Sequence, residues 1–296
     1  MEKLQNDHIV KIHQQSEGSP KVSVVLPIYN GTEYVEDCIC SILQQEFQNY
    51  EIIIIDDGSS DDSIKRIQAI KDKRITLISC RHNFVKSLNV GLSVSRGEFI
   101  ARMDIDDKML PNRLKEQVFF LDNNQDVTLC SSYMLKMDNK KYIADGKSGY
   151  ISNFPESLLL GNPIAHPTVM LRKQFIAENN ISYKEDYIYA EDYKLWTDIA
   201  NMGGTAYILP IPLLEYRISE SQVSYKYSQE QFKTACKIKR EQLVNLLERV
   251  SENRDLINTY SNVLSELHVK SLLTSEEFYE QIYRVLVRNK TVITNE

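Results

Sequence analysis

Glu51–Ile55 (EIIII) constrains the fold more than any other stretch: it is apolar without alternation and ends in Asp56-Asp57-Gly58-Ser59-Ser60. A short apolar run bounded by turn residues reads as a strand. With apolar side chains on both sides, it must be covered on both faces, the condition of a central strand in a parallel sheet. Val22–Leu26, Arg74–Ser79 and Glu98–Met103 read as three further strands. Between them Val35, Cys38, Ile39, Ile42 and Leu43 follow the i, i+3, i+4, i+7, i+8 stripe of an amphipathic helix. Ile64, Ile67 and Ile70 mark a second helix, and Leu88 and Leu92 a third over Phe84–Ser95. Strands alternating with helices predict an α/β protein with a doubly wound, mostly parallel sheet flanked by helices.

In such sheets ligands bind beyond the carboxyl ends of the strands. The four predicted strands end in Pro27-Ile28-Tyr29-Asn30, Asp56-Asp57-Gly58-Ser59, Arg81-His82-Asn83 and Asp104-Ile105-Asp106-Asp107, so four polar tips share one rim. In an extended segment Asp104 and Asp106 point one way, and Ile105 and Asp107 the other. Two like charges that close raise each other's pKa and invite a divalent cation; oxygen-only ligands suit Mn²⁺ or Mg²⁺, which also bind phosphates. The chain holds no G-x-G-x-x-G and no Walker loop, so the usual backbone cradles for a pyrophosphate are missing. A metal held by carboxylates would supply the positive charge instead. An acidic turn before the helix that Pro111 opens remains the plainer alternative.

The formal net charge of -6 argues against nucleic acid as a partner. No run of 18 apolar residues occurs, which predicts neither a transmembrane helix nor a secretory segment and places the chain in the cytoplasm. Cys38, Cys40, Cys80, Cys130 and Cys236 include no C-x-x-C pair and fit reduced thiols, with Cys38 and Cys40 facing different ways on their helix.

Residues 1–20 are polar, lack a period and read as a loose arm. After Pro111 a helix carries Leu114, Val118 and Leu121 inward, and Val127–Tyr133 is a further strand. Residues 138–168 have little period and read as a substrate-shaping loop region. A lone histidine such as His166 is more often packed or hydrogen-bonded than a ligand. Glu191-Asp192 opens a helix with Leu195, Trp196 and Ile199 on one face and Gly203 as its stop. There the macrodipole is expected to hold Asp192 ionised, with Glu191 pointing elsewhere. From 221 to 296 the periods are helical, with breaks near 251–254 and 273–275. Lys226, Lys233, Lys237, Lys239 and Arg240 lie beside Phe232, Ile238, Leu243 and Leu246, a solvated helix face or a membrane-docking one; self-association is a further option.

The segments VSVVLPIYNG, IIIIDDGSSD, SLNVGLSVSRGEFIARMDIDD, IAHPTVM, AEDYKLW and LLEYRISESQVS resemble, in order, the motifs of family 2 glycosyltransferases of the GT-A fold. The resemblance covers roughly 21–220. It implies a GT-A domain with a nucleotide-binding half (21–108) and an acceptor half (109–220), followed by a helical extension (221–296). It further implies metal-dependent, inverting transfer of a hexosyl or N-acetylhexosaminyl unit from a nucleotide-sugar, commonly a UDP-sugar. The acceptor would be a glycan or lipid-linked glycan in bacterial surface-polysaccharide synthesis, with peripheral contact at the inner membrane face an option. By the same resemblance Pro27, Tyr29, Asp56, Asp57, Arg81 and Asp104 serve the nucleotide, and Asp106 with Asp104 the metal. Asp192 is the catalytic base, and Glu191, His166 and Trp196 lie on the acceptor or donor-sugar side.

Two positions depart from that pattern. Phe84 follows Asn83 where many relatives have glycine, which bears on the geometry of the donor loop; Ser219 stands in Tyr216-Arg217-Ile218-Ser219 where many have histidine, so metal coordination is expected to be weaker or differently completed, not lost. Two other classes compete. A nucleotidyltransferase would need a Gly-rich, basic loop after the first strand, and PIYNGTEY is neither; a nucleotide-sugar-binding protein without transfer activity is the second.

Overall fold

The computed structural model describes residues 8–14, 18–139, 141–143, 147–218 and 226–249, with Asn262 and Ile282 as single positions. In chain order its elements are β1 (Ile9–Gln14), β2 (Val22–Ile28), α1 (Val35–Leu43), β3 (Tyr50–Asp56), α2 (Ser63–Ala69), β4 (Ile75–Cys80), α3 (Phe84–Val94), β5 (Phe99–Arg102), β6 (Lys108–Met109) and α4 (Arg113–Asn123). There follow β7 (Leu129–Lys136), β8 (Tyr142–Ile143), β9 (Gly149–Tyr150), α5 (Phe154–Ser157), a 3₁₀ turn at His166–Thr168, β10 (Met170–Arg172), α6 (Lys173–Glu178), a second 3₁₀ turn at Glu185–Tyr187, α7 (Glu191–Asn201), β11 (Ala206–Tyr216) and α8 (Ser228–Glu248).

The strands form one mixed sheet in the order β1-β4-β3-β2-β5-β10-β7-β11-β6, with β8 added to β7 and β9 to β11. The four strands β4-β3-β2-β5 are mutually parallel, in register Leu26↔Ile54, Ile54↔Leu77 and Val24↔Ala101. Antiparallel joins are made by β1 at one edge and by β6, β8, β9 and β10 on the other side of the sheet.

The unbroken apolar run of β3 has the cause expected of it. Ile52 and Ile54 pack with Val24, Leu26 and Leu77 against Cys38, Ile39 and Ile42 of α1, and Ile53 and Ile55 pack on the other face with Val25, Ile78, Val85 and Leu88. Burying each isoleucine contributes about 1.5–3 kcal/mol. α3 lies so close to the sheet that a Cβ on Gly91 would come within 2.4 Å of Val25 Cγ1 and 3.1 Å of Ile55 Cδ1. Gly91→Val should therefore overpack this layer and lower unfolding free energy by about 1–3 kcal/mol, read from the midpoint of urea unfolding.

The loose arm expected over 1–20 is corrected for residues 9–14, while 1–7 and 15–17 lie outside the described residues. Ile9–Gln14 is a strand pairing antiparallel with the outer edge of β4, and His13 Nε2 lies 2.9 Å from Ser79 Oγ. An edge strand needs only one partner and leaves its other side to solvent, as Val10 and Ile12 show by their exposure. This is why no buried period marks it in the sequence.

The helical extension is described only as α8, which buries Cys236, Ile238, Gln242, Leu243 and Leu246. Gln242 Nε2 donates to Pro155 O at 2.9 Å, and Asn201 Nδ2 donates to Gln242 Oε1 at 2.8 Å. The breaks expected near 251–254 and 273–275 lie outside the described residues. Among the described residues no helix is long and apolar enough to cross a membrane. Cys38 is buried and Cys40 exposed, on opposite sides of α1 as their spacing predicts.

Candidate active site

The chain runs outward from β2 through β3 to β4 and then returns to the other side of β2 as β5, so the switch point lies between the ends of β2 and β5. The two loops there meet: a Cβ on Gly31 would stand 2.9 Å from Ile105 Cγ1.

Asp104, Asp106 and Asp107 each present a carboxylate oxygen within 4.8 Å of the others. The expectation that Asp107 faces away is thus corrected. β5 ends at Arg102 and the chain turns, with Asp107 N donating to Asp104 O at 3.4 Å, so two-residue alternation no longer applies. Arg102, buried in the strand, forms an ion pair with Asp104. Arg217 holds the turn from the other side, its backbone N donating to Asp107 Oδ1 and its Nε to Asp106 O, both at 2.9 Å. Beneath them the fully buried Arg113 donates to Arg102 O at 2.8 Å and to Gln117 Oε1 at 3.1 Å.

Burial, and then the neighbouring Asp104, raise the Asp106 carboxyl to about 6 and push Asp107 well above the usual range. Asp107 Oδ2 is buried without a hydrogen-bond partner among the described residues. A buried cluster of acids whose affinity for protons is raised by desolvation and mutual repulsion fits a hard divalent cation, whose binding would displace those protons.

The second acidic pair opens α7. Asp192 Oδ2 accepts from Asn162 Nδ2 at 2.9 Å and Oδ1 from Tyr193 N at 2.7 Å. Its pKa is nonetheless raised, because desolvation outweighs the hydrogen bonds from Tyr193 N and Asn162. Glu191 is buried with Oε2 unpartnered among the described residues, and burial followed by the Asp192 charge lifts it from 4.5 to about 7. Such an acid binds its proton more tightly folded than unfolded, so stability falls as pH rises from about 4.5 to about 7. Glu191→Gln should abolish that slope, and its gain over the parent should reach about 3 kcal/mol above pH 7 in paired unfolding curves.

Under this pair His166 Nε2 lies 2.8 Å from Tyr183 OH and its ring meets Trp196 edge-on, centroids 5.9 Å apart. Burial, with Arg102 nearby, keeps its imidazole neutral by lowering its pKa well below the usual value. His166 and Trp196 are therefore packed side chains supporting the site, and the Trp196 Nε1 finds no acceptor among the described residues.

At the remaining tips Tyr29, half-exposed, stacks on His82 with centroids 4.4 Å apart, while Pro27 is buried within β2. Asp56 and Asp57 are both 1% exposed. Asp56 Oδ1 accepts from Ser59 N at 3.0 Å; Asp57 Oδ1 accepts from Asn83 N at 2.8 Å and Ser87 Oγ at 2.6 Å, and His82 Nδ1 lies 2.9 Å from Asp57 Oδ2. These acids brace the loops after β3 and β4 before they serve any ligand. Arg81 is exposed at the same rim, its backbone N donating to His8 O at 3.1 Å. Asn83 caps α3 by accepting from Lys86 N, so Phe84, in place of the glycine of the resemblance, is the first residue of that helix. Ser219 lies outside the described residues. Arg102 and Asn162 were not picked out from the sequence. A charge inside the apolar run FIARM could have flagged the first; nothing in the irregular 138–168 region flags the second.

The family model described as Glycosyl transferase family 2 matches residues 23–180. An uncharacterized glycosyltransferase of Haemophilus influenzae is 36% identical over 86% of this chain and 82% of its own length. WfaP of Escherichia coli, a UDP-Glc:alpha-D-GlcNAc-diphosphoundecaprenol beta-1,3-glucosyltransferase, is 31% identical over 69% of this chain and 79% of its length. The chain spans only 30% of longer Rickettsia glycosyltransferases that it also matches. Among solved structures, Staphylococcus aureus TarS 1-349 in complex with UDP-GlcNAc superposes with a TM-score of 0.64 at 20% identity, over 77% of this chain and 66% of that one. That likeness is one of fold, and the fold is GT-A. With the family model over half the chain and a relative aligned along most of both lengths, this protein belongs to glycosyltransferase family 2 and is a glycosyltransferase.

Proposed function

We propose that the enzyme transfers a hexosyl or N-acetylhexosaminyl unit, with inversion, from a UDP-sugar to a hydroxyl of a glycan or lipid-linked glycan in surface-polysaccharide synthesis. One observation carries this reading: three carboxylates converge at the switch point of the sheet, while a separate acid pair starts α7. Asp106 and Asp104, joined by Asp107, would hold Mn²⁺ or Mg²⁺. A cation held there supplies Lewis-acid neutralisation of the departing diphosphate. Tyr29, Pro27, Asp57 and Arg81, with Asp56 behind them, would line the nucleotide's place at the rim.

Asp192 takes the acceptor's hydroxyl proton as the new bond to the sugar's anomeric carbon forms and the bond to the diphosphate oxygen breaks. Asn162 fixes Oδ2 and the Tyr193 amide fixes Oδ1, and each carboxylate oxygen keeps a further lone pair with which to receive the proton. Glu191, with His166 and Trp196 behind it, shapes the acceptor and donor-sugar side. The UDP-glucose donor and lipid-linked acceptor named for WfaP support the choice of substrates. Thermal unfolding with Mn²⁺ and a panel of UDP- and GDP-sugars tests it. UDP-sugars should raise the Tm only when Mn²⁺ is present; stabilisation by GDP-sugars alone would reassign the donor.

A further inference from the structure

Just ahead of α7, Tyr189 has φ 67°, in the left-handed region that a tyrosine keeps only where its surroundings hold it. The hold comes from one side of α8 and its N-cap. Tyr227 stacks flat on Tyr189, centroids 4.3 Å apart and planes at 8°. Gln231 Nε2 donates to Tyr189 O at 2.8 Å, and the Thr234 hydroxyl, shared with Glu230 O of its own helix, lies 3.1 Å from Ile188 O. Lys237 Nζ donates to Asp186 O at 3.3 Å and sits 4.1 Å from the centre of the Tyr187 ring, whose hydroxyl donates to Glu241 Oε2 at 2.7 Å. Positions 227, 231, 234, 237 and 241 are three or four apart, a single stripe on a helix. That stripe meets Asp186, Tyr187, Ile188 and Tyr189 one after another. Asp192 follows three residues later, so a change of backbone angle at Tyr189 would turn the start of α7 and displace the carboxylate.

We infer that α8 clamps the segment carrying the general base, with Tyr227 and Gln231 as positioning residues for Asp192. The inference rests on the assignment of Asp192 as that base. It gives the C-terminal helix a part in catalysis without contact with donor or metal.

The test uses the full chain carrying Tyr227→Ala with Gln231→Leu, next to Tyr227→Phe and Asp192→Asn. Backbone amides of 187–194 should exchange with deuterium about tenfold faster in the double variant, with those of 52–56 unchanged. UDP release from UDP-glucose and UDP-N-acetylglucosamine with Mn²⁺ should show kcat lowered by about 10–100-fold, as expected of a misplaced catalytic group, with the donor KM kept. Tyr227→Phe, which keeps the stacked ring, should behave as the parent. Exchange in 187–194 at the parental rate overturns the clamp. So does a KM that rises in step with the fall in kcat, or a further loss when the double variant is placed in the Asp192→Asn background. If the double variant speeds exchange in 52–56 as well, Gln231→Met alone replaces it with the same criteria. Parental kcat in the double variant beside an impaired Asp192→Asn removes the clamp alone. Parental kcat in Asp192→Asn removes the base assignment, and the inference with it.

Discussion

Asp192→Asn is expected to lower kcat for sugar transfer by about 10²–10⁴-fold, the usual worth of a positioned general base. The side chain keeps its shape and its remaining oxygen can still accept from Asn162, so the substitution removes the proton-accepting role together with the hydrogen bond from Tyr193 N. Donor KM and metal affinity should stay close to the parent's, because Asp192 belongs to α7 and the proposed metal site, Asp104, Asp106 and Asp107, to the turn after β5. The raised pKa of Asp192 adds a pH signature: activity should climb with pH through a range above that of an ordinary aspartate and then level off. A steady-state pH profile of the parent checks this, and a flat profile from pH 4 upward would oppose it.

Asp106→Asn should act on binding instead. A ligand to the ion should cost more than the 10–100-fold in metal affinity attached to outer partners, so Mn²⁺ affinity should fall by at least about 100-fold. Titration followed by Mn²⁺ electron paramagnetic resonance measures it. The fold should survive and gain slightly, since the substitution removes one of three crowded charges whose burial is unfavourable without an ion. Between pH 5 and 7, uptake of Mn²⁺ by the parent should release protons, because Asp106 with a pKa of about 6 must lose its own to bind.

Legibility in the sequence followed how local each cause was. β3 was readable because burial on both faces demands an unbroken apolar run, and the four rim tips were readable because each follows such a run. Asp104 and Asp106 were expected together from an alternation that the chain abandons after Arg102, and the turn that gathers all three acids is held by Arg217, 110 residues from Asp107. The rise in the Asp192 pKa was not legible for a similar reason. A helix end is visible in the sequence, whereas the burial that outweighs it depends on packing from distant segments. β1 had no signature because an exposed edge asks for no buried pattern. The bond from Asn162 to Asp192 and the α8 stripe that meets Asp186–Tyr189 are likewise products of long-range packing.

The measurement that tests the account most directly is calorimetric titration of UDP, with Mn²⁺ and then with EDTA, into the parent, Asp106→Asn and Asp192→Asn. The division into a metal-diphosphate site after β5 and a separate base at the start of α7 predicts Mn²⁺-dependent binding by the parent. It predicts the same binding by Asp192→Asn and its loss in Asp106→Asn. UDP bound equally well by Asp106→Asn, or lost in Asp192→Asn, would contradict it.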